Sequence, residues 1–313
     1  MSNNRNIIEF CLGGIAACGA GMVTNPLEVV KTRMQLQGEL KAKGHYAIHY
    51  SNSLHAIYTI AKTDGLLALQ KGLVPALHYQ FFMNGVRLGS YQILNNLGLT
   101  KDKNQKRSYP KSVAAGAFSG CCGAFVGSPF YMVKTHLQSR ATQTIAVGHQ
   151  HSHDSMGKGF RSIYSTFGFL GLWRGVNAAI SRVMVGSAAQ LSTFSTAKDY
   201  ICSTQVFEEE SWLNALLASV MSGCVVTLCM TPFDVVSTRL YNQGVDAKGK
   251  GFYYAGVFDC FCKIFRKEGF WGFYKGWGPS FLRLCPHTVL SLVLWDRLRI
   301  IYQRFKVKRK QEL

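Results

Sequence analysis

Three prolines, Pro26, Pro129 and Pro232, stand 103 residues apart, and each lies at the end of a run without charge. Residues 10–27, 112–133 and 211–233 contain no Asp, Glu, Lys or Arg. A membrane-spanning helix needs roughly 20 predominantly apolar residues, so all three runs qualify or nearly do. The competing reading is a buried helix in a soluble core, but such cores rarely need several uncharged runs of this length. Composition agrees with the membrane. Only 16% of residues are charged and 48% are hydrophobic, against about 25% charged in soluble domains.

The text around the prolines repeats. It reads Pro26-Leu-Glu-Val-Val-Lys-Thr-Arg33, Pro129-Phe-Tyr-Met-Val-Lys-Thr-His136 and Pro232-Phe-Asp-Val-Val-Ser-Thr-Arg239. Further on come Asp64-Gly65 with Lys71-Gly72, Gly168 with Trp173-Arg174-Gly175, and Glu268-Gly269 with Tyr274-Lys275-Gly276. Three blocks in register define three tandem units, at 4–97, 107–201 and 211–302, and missing such a repeat miscalls a fold. In each unit an apolar helix runs up to the proline and a little past it, kinked there because proline removes a hydrogen bond. Gly14-x-x-x-Cys18, Gly116-x-x-x-Gly120 and Ser219-x-x-x-Gly223 place small residues where helices approach closely. A polar loop and a short amphipathic helix follow. Phe160, Ile163, Tyr164 and Phe167 fall at helical spacing, as do Phe258, Phe261, Cys262 and Phe265. Gly65, Gly168 and Gly269 sit where a C-terminal cap ends that helix. A second apolar helix starts near Gly72, Gly175 and Gly276. The expected fold is therefore all-α. It has six transmembrane helices, at about 8–27, 73–94, 112–133, 175–196, 211–233 and 277–298, with both chain ends on one side.

The formal charge of +19 admits nucleic acid as a partner. The Lys and Arg are spread over every polar segment, however, which fits anionic headgroups and anionic solutes better. Cys11, Cys18, Cys121, Cys122, Cys224, Cys229 and Cys285 lie in apolar stretches and read as small hydrophobes, in a chain kept reduced. Cys260-Phe-Cys262 has the wrong spacing for zinc. Neither a secretory signal nor an Arg-rich transit peptide is evident, so targeting information is expected inside the mature chain.

The three blocks resemble the signature of the mitochondrial carrier family: Pro-x-acid-x-x-base-x-base, then an acid-Gly and a base-Gly element. The resemblance covers nearly the whole chain. Asn25–Glu39, Met132–Gln138 and Thr238–Gln243 are closer still to the subgroup holding members 34 and 35 of solute carrier family 25 and the fungal oxaloacetate carrier. The resemblance implies a three-fold pseudosymmetric six-helix bundle in the mitochondrial inner membrane. It also implies both termini toward the intermembrane space, alternating access to one central site, and a monomer as the working unit.

The even-numbered spans hold the informative charges. From their starting glycines they stay uncharged until Arg87, Arg182 and Arg283. An Arg at membrane depth marks a solute pathway by default, and snorkelling to headgroups is the bland alternative. Arg182 and Arg283 share one offset, seven residues after the glycine; the first unit has Tyr79 there, then Gln80. Val183 and Leu284 occupy the next offset. In the family these offsets contact substrate, and an Arg pair resembles carriers of small carboxylates and other anions. Guanidinium presents a planar fork of donors that matches a carboxylate or a sulfur oxyanion. Two forks suit a short dicarboxylate, and Tyr79 and Gln80 would add neutral hydrogen bonds. Arg87 either handles anions at the cavity mouth or pairs with an acid or a carbonyl.

The resemblance also implies gates. On the matrix side Glu28 is expected to pair with Lys134, and Asp234 with Lys31. The third pair falls on Tyr131 and Ser237, which would share at most a neutral hydrogen bond. His136 and Phe167 depart from the pattern too. On the cytoplasmic side only Trp295-Asp296-x-x-Arg299 comes near the family's gate; Phe194-Ser-x-x-Lys198 lacks the acid and Tyr91-Gln-x-x-Asn95 lacks both charges. The matrix gate is therefore expected to set the barrier: neutralising Lys134 should change the uptake rate more than neutralising Lys198, and equal effects would refute this.

The helix starts Lys71-Gly72, Arg174-Gly175 and Lys275-Gly276 are phosphate-binding in character, with cardiolipin the implied lipid and a plain flexible start the alternative. His149-Gln-His151-Ser-His153-Asp154 reads as a solvated polar loop ahead of a metal site, so no metal or cofactor is expected. Glu208–Glu210 suits a helix N-terminus, and the basic tail Arg304–Lys310 suits anionic headgroups. The leading function is antiport of dicarboxylates, keto acids such as oxaloacetate, or sulfur oxoanions such as sulfate. An uncoupling-type leak and a non-transporting carrier-fold adaptor are the alternatives. The adaptor should lose central and gate charges together, and this chain keeps its central pair. No catalytic constellation points to an enzyme.

Overall fold

The computed structural model describes residues 2–41, 44–100, 108–203, 212–246 and 249–311, with most of their side chains. Glu208–Glu210 and the side chains of Lys198 and of most of the basic tail lie outside what is described. Among the described residues the chain is helical, apart from one isolated bridge between Val245 and Gly251. There are six long helices, α1 (Ser2–Leu36), α3 (Leu73–Asn96), α4 (Tyr109–Ser139), α6 (Val176–Ser203), α7 (Trp212–Asn242) and α9 (Trp277–Gln311), among the described residues. The short helices are α2 (Ser53–Thr63), α5 (Met156–Gly171) and α8 (Val257–Glu268). Each repeat thus reads long, short, long. Each long helix exceeds the roughly 20 residues a bilayer requires; Pro110–Ser139 and Val220–Asn242 qualify by length and apolar composition together.

The long helices close a ring. In order around it stand α1, α3, α4, α6, α7 and α9, which packs back on α1. At one end α1, α4 and α7 also touch each other. The buried clusters gather toward that end around Val29 and Ile60, Met132 and Ile163, and Val235 and Ile264. The ring is therefore closed there.

Pro26, Pro129 and Pro232 lie inside α1, α4 and α7, which run on for a further ten residues. A helical proline leaves the carbonyl four residues earlier without its donor. In a bilayer that carbonyl needs another partner. Here Gln70 Nε2 donates to the Met22 carbonyl at 3.1 Å, and Trp173 Nε1 donates to the Phe125 carbonyl at 2.8 Å. Gln70 and Trp173 hold the same place in their repeats, just before the second long helix. In repeats 1 and 2 the carbonyl freed by the proline is thus satisfied from within its own repeat.

The glycines that start α3 and α9 are set by crowding as well as conformation. Gly72 and Gly276 have φ of 73° and 78°. A Cβ on Gly72 would meet Gln138 Cγ at 2.8 Å, and one on Gly276 would meet Gln35 Cγ at 2.8 Å. Each glycine lets a second helix begin against the first helix of another repeat.

The short helices depart from the expected stripes. Gly159 and Ile163 are the buried positions of α5, and Cys260 and Ile264 those of α8. Tyr164, Phe258 and Phe265 point outward. Beyond α2 and α8, and past the non-helical Gly168 within α5, Leu66-Leu67, Phe270-Trp271 and Phe169-Leu170 are exposed, one pair in each repeat. Apolar residues cover more than one face because these elements pack on the bundle with one side and present the other outward. An outward apolar belt suits a membrane boundary.

Candidate functional site

The polar residues at the closed end begin on the odd helices just past the prolines. Lys134 Nζ and Glu28 Oε2 form an ion pair at 2.5 Å, and Lys31 Nζ and Asp234 Oδ2 one at 2.7 Å. Both expected pairs are present. The third differs: among the described residues the buried Ser237 Oγ has no hydrogen-bond partner, so Tyr131 and Ser237 share no bond. Tyr131 is too well held by other groups. It packs edge-on against Tyr79 and Tyr241, and the cations of Arg182 and Lys134 stand over its ring at 5.1 and 5.6 Å. A cation–π cluster, worth about 2 kcal/mol per contact once desolvated, replaces the missing charge pair between repeats 2 and 3.

The central arginines join this layer. Arg182 Nη2 donates to Tyr79 Oη at 2.5 Å, and Arg182 Nη1 lies 3.5 Å from Asp234 Oδ1. Arg283 Nη1 lies 2.8 Å from Glu28 Oε1. Neither reaches for headgroups, so snorkelling is excluded. Each of these two acids is shared between a lysine and a central arginine. Within this network four cations, Lys31, Lys134, Arg182 and Arg283, face two carboxylates, Glu28 and Asp234. Two positive charges remain in excess.

Gln80 faces the same space, lining a pocket with Asn25, Glu28, Lys134, Arg283 and His287. His287 escaped the sequence reading. It lies one turn after Arg283, at the i, i+4 spacing that could have found it. Thr24 Oγ1 donates to the Ala20 carbonyl, so it accepts from His287 Nδ1, 3.2 Å away. Nε2 then carries a lone pair, 3.5 Å from Gln80 Nε2.

Val183 and Leu284 do not line the site. Val183 is buried against α4, where a Cβ on Gly120 would meet it at 2.8 Å. Leu284 lies against Gly223 of α7. One step along a helix turns a side chain about 100°, which carries the residue after each arginine onto the neighbouring helix. Arg87 lines a separate cleft with Tyr91, Ser119, Ser187 and Gln190, and it makes no ion pair among the described residues. At the other end of the ring Asp296 is exposed, and the Arg299 guanidinium lies over Trp295 at 5.6 Å.

Below the gate lie polar triads. In repeat 1 Arg33 Nη2 meets Asp64 Oδ2 at 2.8 Å, with Lys71 Nζ at 3.6 Å from the same oxygen. In repeat 3 Arg239 grips Glu268 with both terminal nitrogens, at 2.5 and 2.9 Å, and Lys275 adds 2.6 Å. Lys71 and Lys275 therefore turn inward, each to an acid and a backbone carbonyl, and are not free cations for a lipid headgroup as expected. Burial opposes ionisation of Asp64, yet the hydroxyl and amide of Thr142 and the guanidinium of Arg33 outweigh it and hold its pKa below the ordinary carboxylate range. Glu268 is held low in the same way by Arg239 and Lys275. In repeat 2 the triad becomes His136, Phe167 and Arg174; the Arg174 guanidinium stacks over Phe167 at 5.4 Å. Three-fold logic survives in the backbone. Arg33 Nε donates to the Gln138 carbonyl, His136 Nε2 to that of Tyr241, and Arg239 Nε to that of Gln35.

Comparison with known proteins agrees with this geometry. The profile of the mitochondrial carrier protein family matches residues 2–102, 105–205 and 208–306. The chain is 54% identical over 295 residues to human solute carrier family 25 member 35, covering 94% of this chain and 98% of that one. It is 40% identical to the Saccharomyces cerevisiae mitochondrial oxaloacetate transport protein, covering 94% and 90% of the two chains. It is 41% identical to the Aspergillus niger mitochondrial citrate transporter E, covering 95% and 94%. With all three repeats matched by one profile, six long helices closed in a ring and the two ion pairs Glu28–Lys134 and Lys31–Asp234 in place, the chain belongs to the mitochondrial carrier family, whose members are solute carriers of the mitochondrial inner membrane.

Proposed function

We propose that this carrier exchanges small dicarboxylates or keto acids of the oxaloacetate type across the inner membrane by alternating access, with sulfate-like oxoanions as further cargo. The observation that carries this reading is the excess of two positive charges in the partly buried network of Lys31, Lys134, Arg182, Arg283, Glu28 and Asp234. A dianion balances it, and the 40% identity to a yeast oxaloacetate transport protein points the same way. The closed end faces the matrix and both termini face the intermembrane space. One chain suffices, since it holds all three repeats. The exposed apolar pairs beside Gly72, Gly175 and Gly276 meet acyl chains, and the free N–H groups of those helix starts meet an anionic headgroup such as that of cardiolipin.

Coupling follows from shared partners. Arg182 and Arg283 are held by the acids that also hold the gate lysines. A substrate carboxylate that takes a guanidinium removes one partner from Asp234 or Glu28. A charge-assisted hydrogen bond contributes about 1.5–3 kcal/mol, comparable with what a partly buried gate pair supplies, so substrate capture and gate loosening are one event.

In liposomes loaded with dicarboxylate, Arg182→Ala and Arg283→Ala should each lower exchange about 10–100-fold, the equivalent of one lost charge-assisted bond. Unchanged exchange in both variants would refute the anion site. Equal uptake into liposomes without internal anion would refute antiport in favour of a leak.

A further inference from the structure

Repeat 2 is rebuilt where the other repeats keep a charged triad. Arg33 lies beside Tyr50, seventeen residues on, with Nη1 3.5 Å from its hydroxyl. Repeat 2 places His136 and His153 at the same seventeen-residue separation, with His136 Nδ1 3.2 Å from His153 Nε2. Repeat 3 returns to arginine and tyrosine, at Arg239 and Tyr254. Two imidazoles thus replace a guanidinium and a phenol, and a third joins them: the His151 ring lies against that of His136, with centroids 3.5 Å apart. One ring nitrogen from each of His136, His151 and His153 lies within 4.8 Å of the other two.

The outer partners fix which nitrogens are free. His136 Nε2 lies 2.8 Å from the Tyr241 carbonyl, and His151 Nε2 lies 3.0 Å from the Asn242 carbonyl. A carbonyl only accepts, so both Nε2 atoms carry protons and both Nδ1 atoms carry lone pairs. Metal-bound histidines show the same arrangement, with the second ring nitrogen donating to a carbonyl or carboxylate. Tetrahedral zinc at about 2.1 Å from each nitrogen sets its ligands about 3.4 Å apart. The gap of 3.2 Å between His136 Nδ1 and His153 Nε2 matches that span. The rings of His136 and His151 are near parallel, at 14°, so their lone pairs run side by side. Capture requires His151 to tilt, and it sits in the irregular segment between α4 and α5.

We propose that His136, His151 and His153 form a site for a divalent transition metal of zinc-like chemistry, which clamps α4 and the segment after it onto α7 at the closed end. The fourth position takes water or an anion. An anion such as hydroxide offsets Arg174, whose Nε and Nη1 are buried without a partner. The site closes the interface between repeats 2 and 3, the one that lacks a gate charge pair. It is independent of the cargo.

The test is calorimetric titration of ZnCl2 into the purified full-length protein in detergent, with thermal unfolding alongside. The wild type should bind one ion with micromolar or tighter affinity and gain ~5 °C in unfolding midpoint at saturation. Cobalt in place of zinc should give the visible spectrum of a tetrahedral nitrogen-ligated ion, without thiolate charge transfer. The variant His151→Ala with His153→Ala should bind at least about 100-fold more weakly, since losing even an outer partner costs up to that much. Should that variant fold poorly, His153→Tyr, which installs the residue of the other two repeats, should fold and lose the gain in midpoint. No zinc binding by the wild type would overturn the site. So would equal affinity in the variants, or a thiolate spectrum placing the ion on cysteines.

Discussion

Replacing Glu268 by Gln is expected to destabilise the closed end by about 3–5 kcal/mol, the cost of stranding a buried charge. The Arg239 side chain is fully buried and that of Glu268 is 2% exposed. Both oxygens of the carboxylate are engaged by Arg239, and Lys275 shares one of them. Removing the negative charge leaves two cations facing an amide. Repeat 2 shows that the place needs no acid–guanidinium pair, because His136 and Phe167 fill it with Arg174 over the Phe167 ring. The double change Arg239→His with Glu268→Phe should therefore cost less than Glu268→Gln alone, although it alters more atoms. The two sites touch, so their effects are not additive. In detergent the unfolding midpoint of Glu268→Gln should fall by roughly 10 °C. A shift within one degree would show that the triad contributes nothing.

The same carboxylates carry a pH dependence. Asp64 and Glu268 have folded pKa values below their ordinary ones, because Arg33 with Thr142 in one case, and Arg239 with Lys275 in the other, outweigh burial. Their contribution to stability is present above the unfolded carboxylate values, near 4, and is lost as pH falls through the lower folded values. Repeat 2 has no acid in this position and contributes nothing to that loss.

What the sequence made legible obeys local rules. Prolines in register predicted long helices that run past them, and Gly72, Gly175 and Gly276 predicted helix starts, because backbone sterics constrain both. The pairs Glu28–Lys134 and Asp234–Lys31 came from the resemblance to the carrier family, carried onto the aligned repeats. The double use of those acids by Arg283 and Arg182 was hidden, because it depends on how far the even helices reach down the ring. Val183 and Leu284 were misplaced for a related reason: position along a helix was readable, but rotation against its neighbours was not. His151 and His153 looked like a solvated loop. Their partner His136 lies fifteen residues before His151, on α4, and only the fold brings the three rings together.

Tyr131→Glu should suppress anion exchange about 100-fold, as much as the largest loss expected from removing one binding arginine. The Arg182 guanidinium lies 5.1 Å from the Tyr131 ring and the Lys134 ammonium 5.6 Å. A carboxylate placed there attracts Arg182 by about 3 kcal/mol at 5 Å and an effective dielectric near 20, which is about two orders of magnitude in competition with a substrate. The variant also cuts the network's excess charge from two to one, removing the match to a dianion. Adding Ser237→Lys supplies the base that the third gate position lacks. The new Glu and Lys would then pair with each other, completing the three-fold gate and releasing Arg182. Exchange in the double variant should rise above that of Tyr131→Glu. It should stay below wild type, because a third charge pair now has to break when the closed end opens. The cycle of two single variants and the double, assayed by dicarboxylate exchange, separates the terms. If Ser237→Lys fails to rescue Tyr131→Glu, the aromatic cluster acts through packing and not as a neutral stand-in for a gate pair.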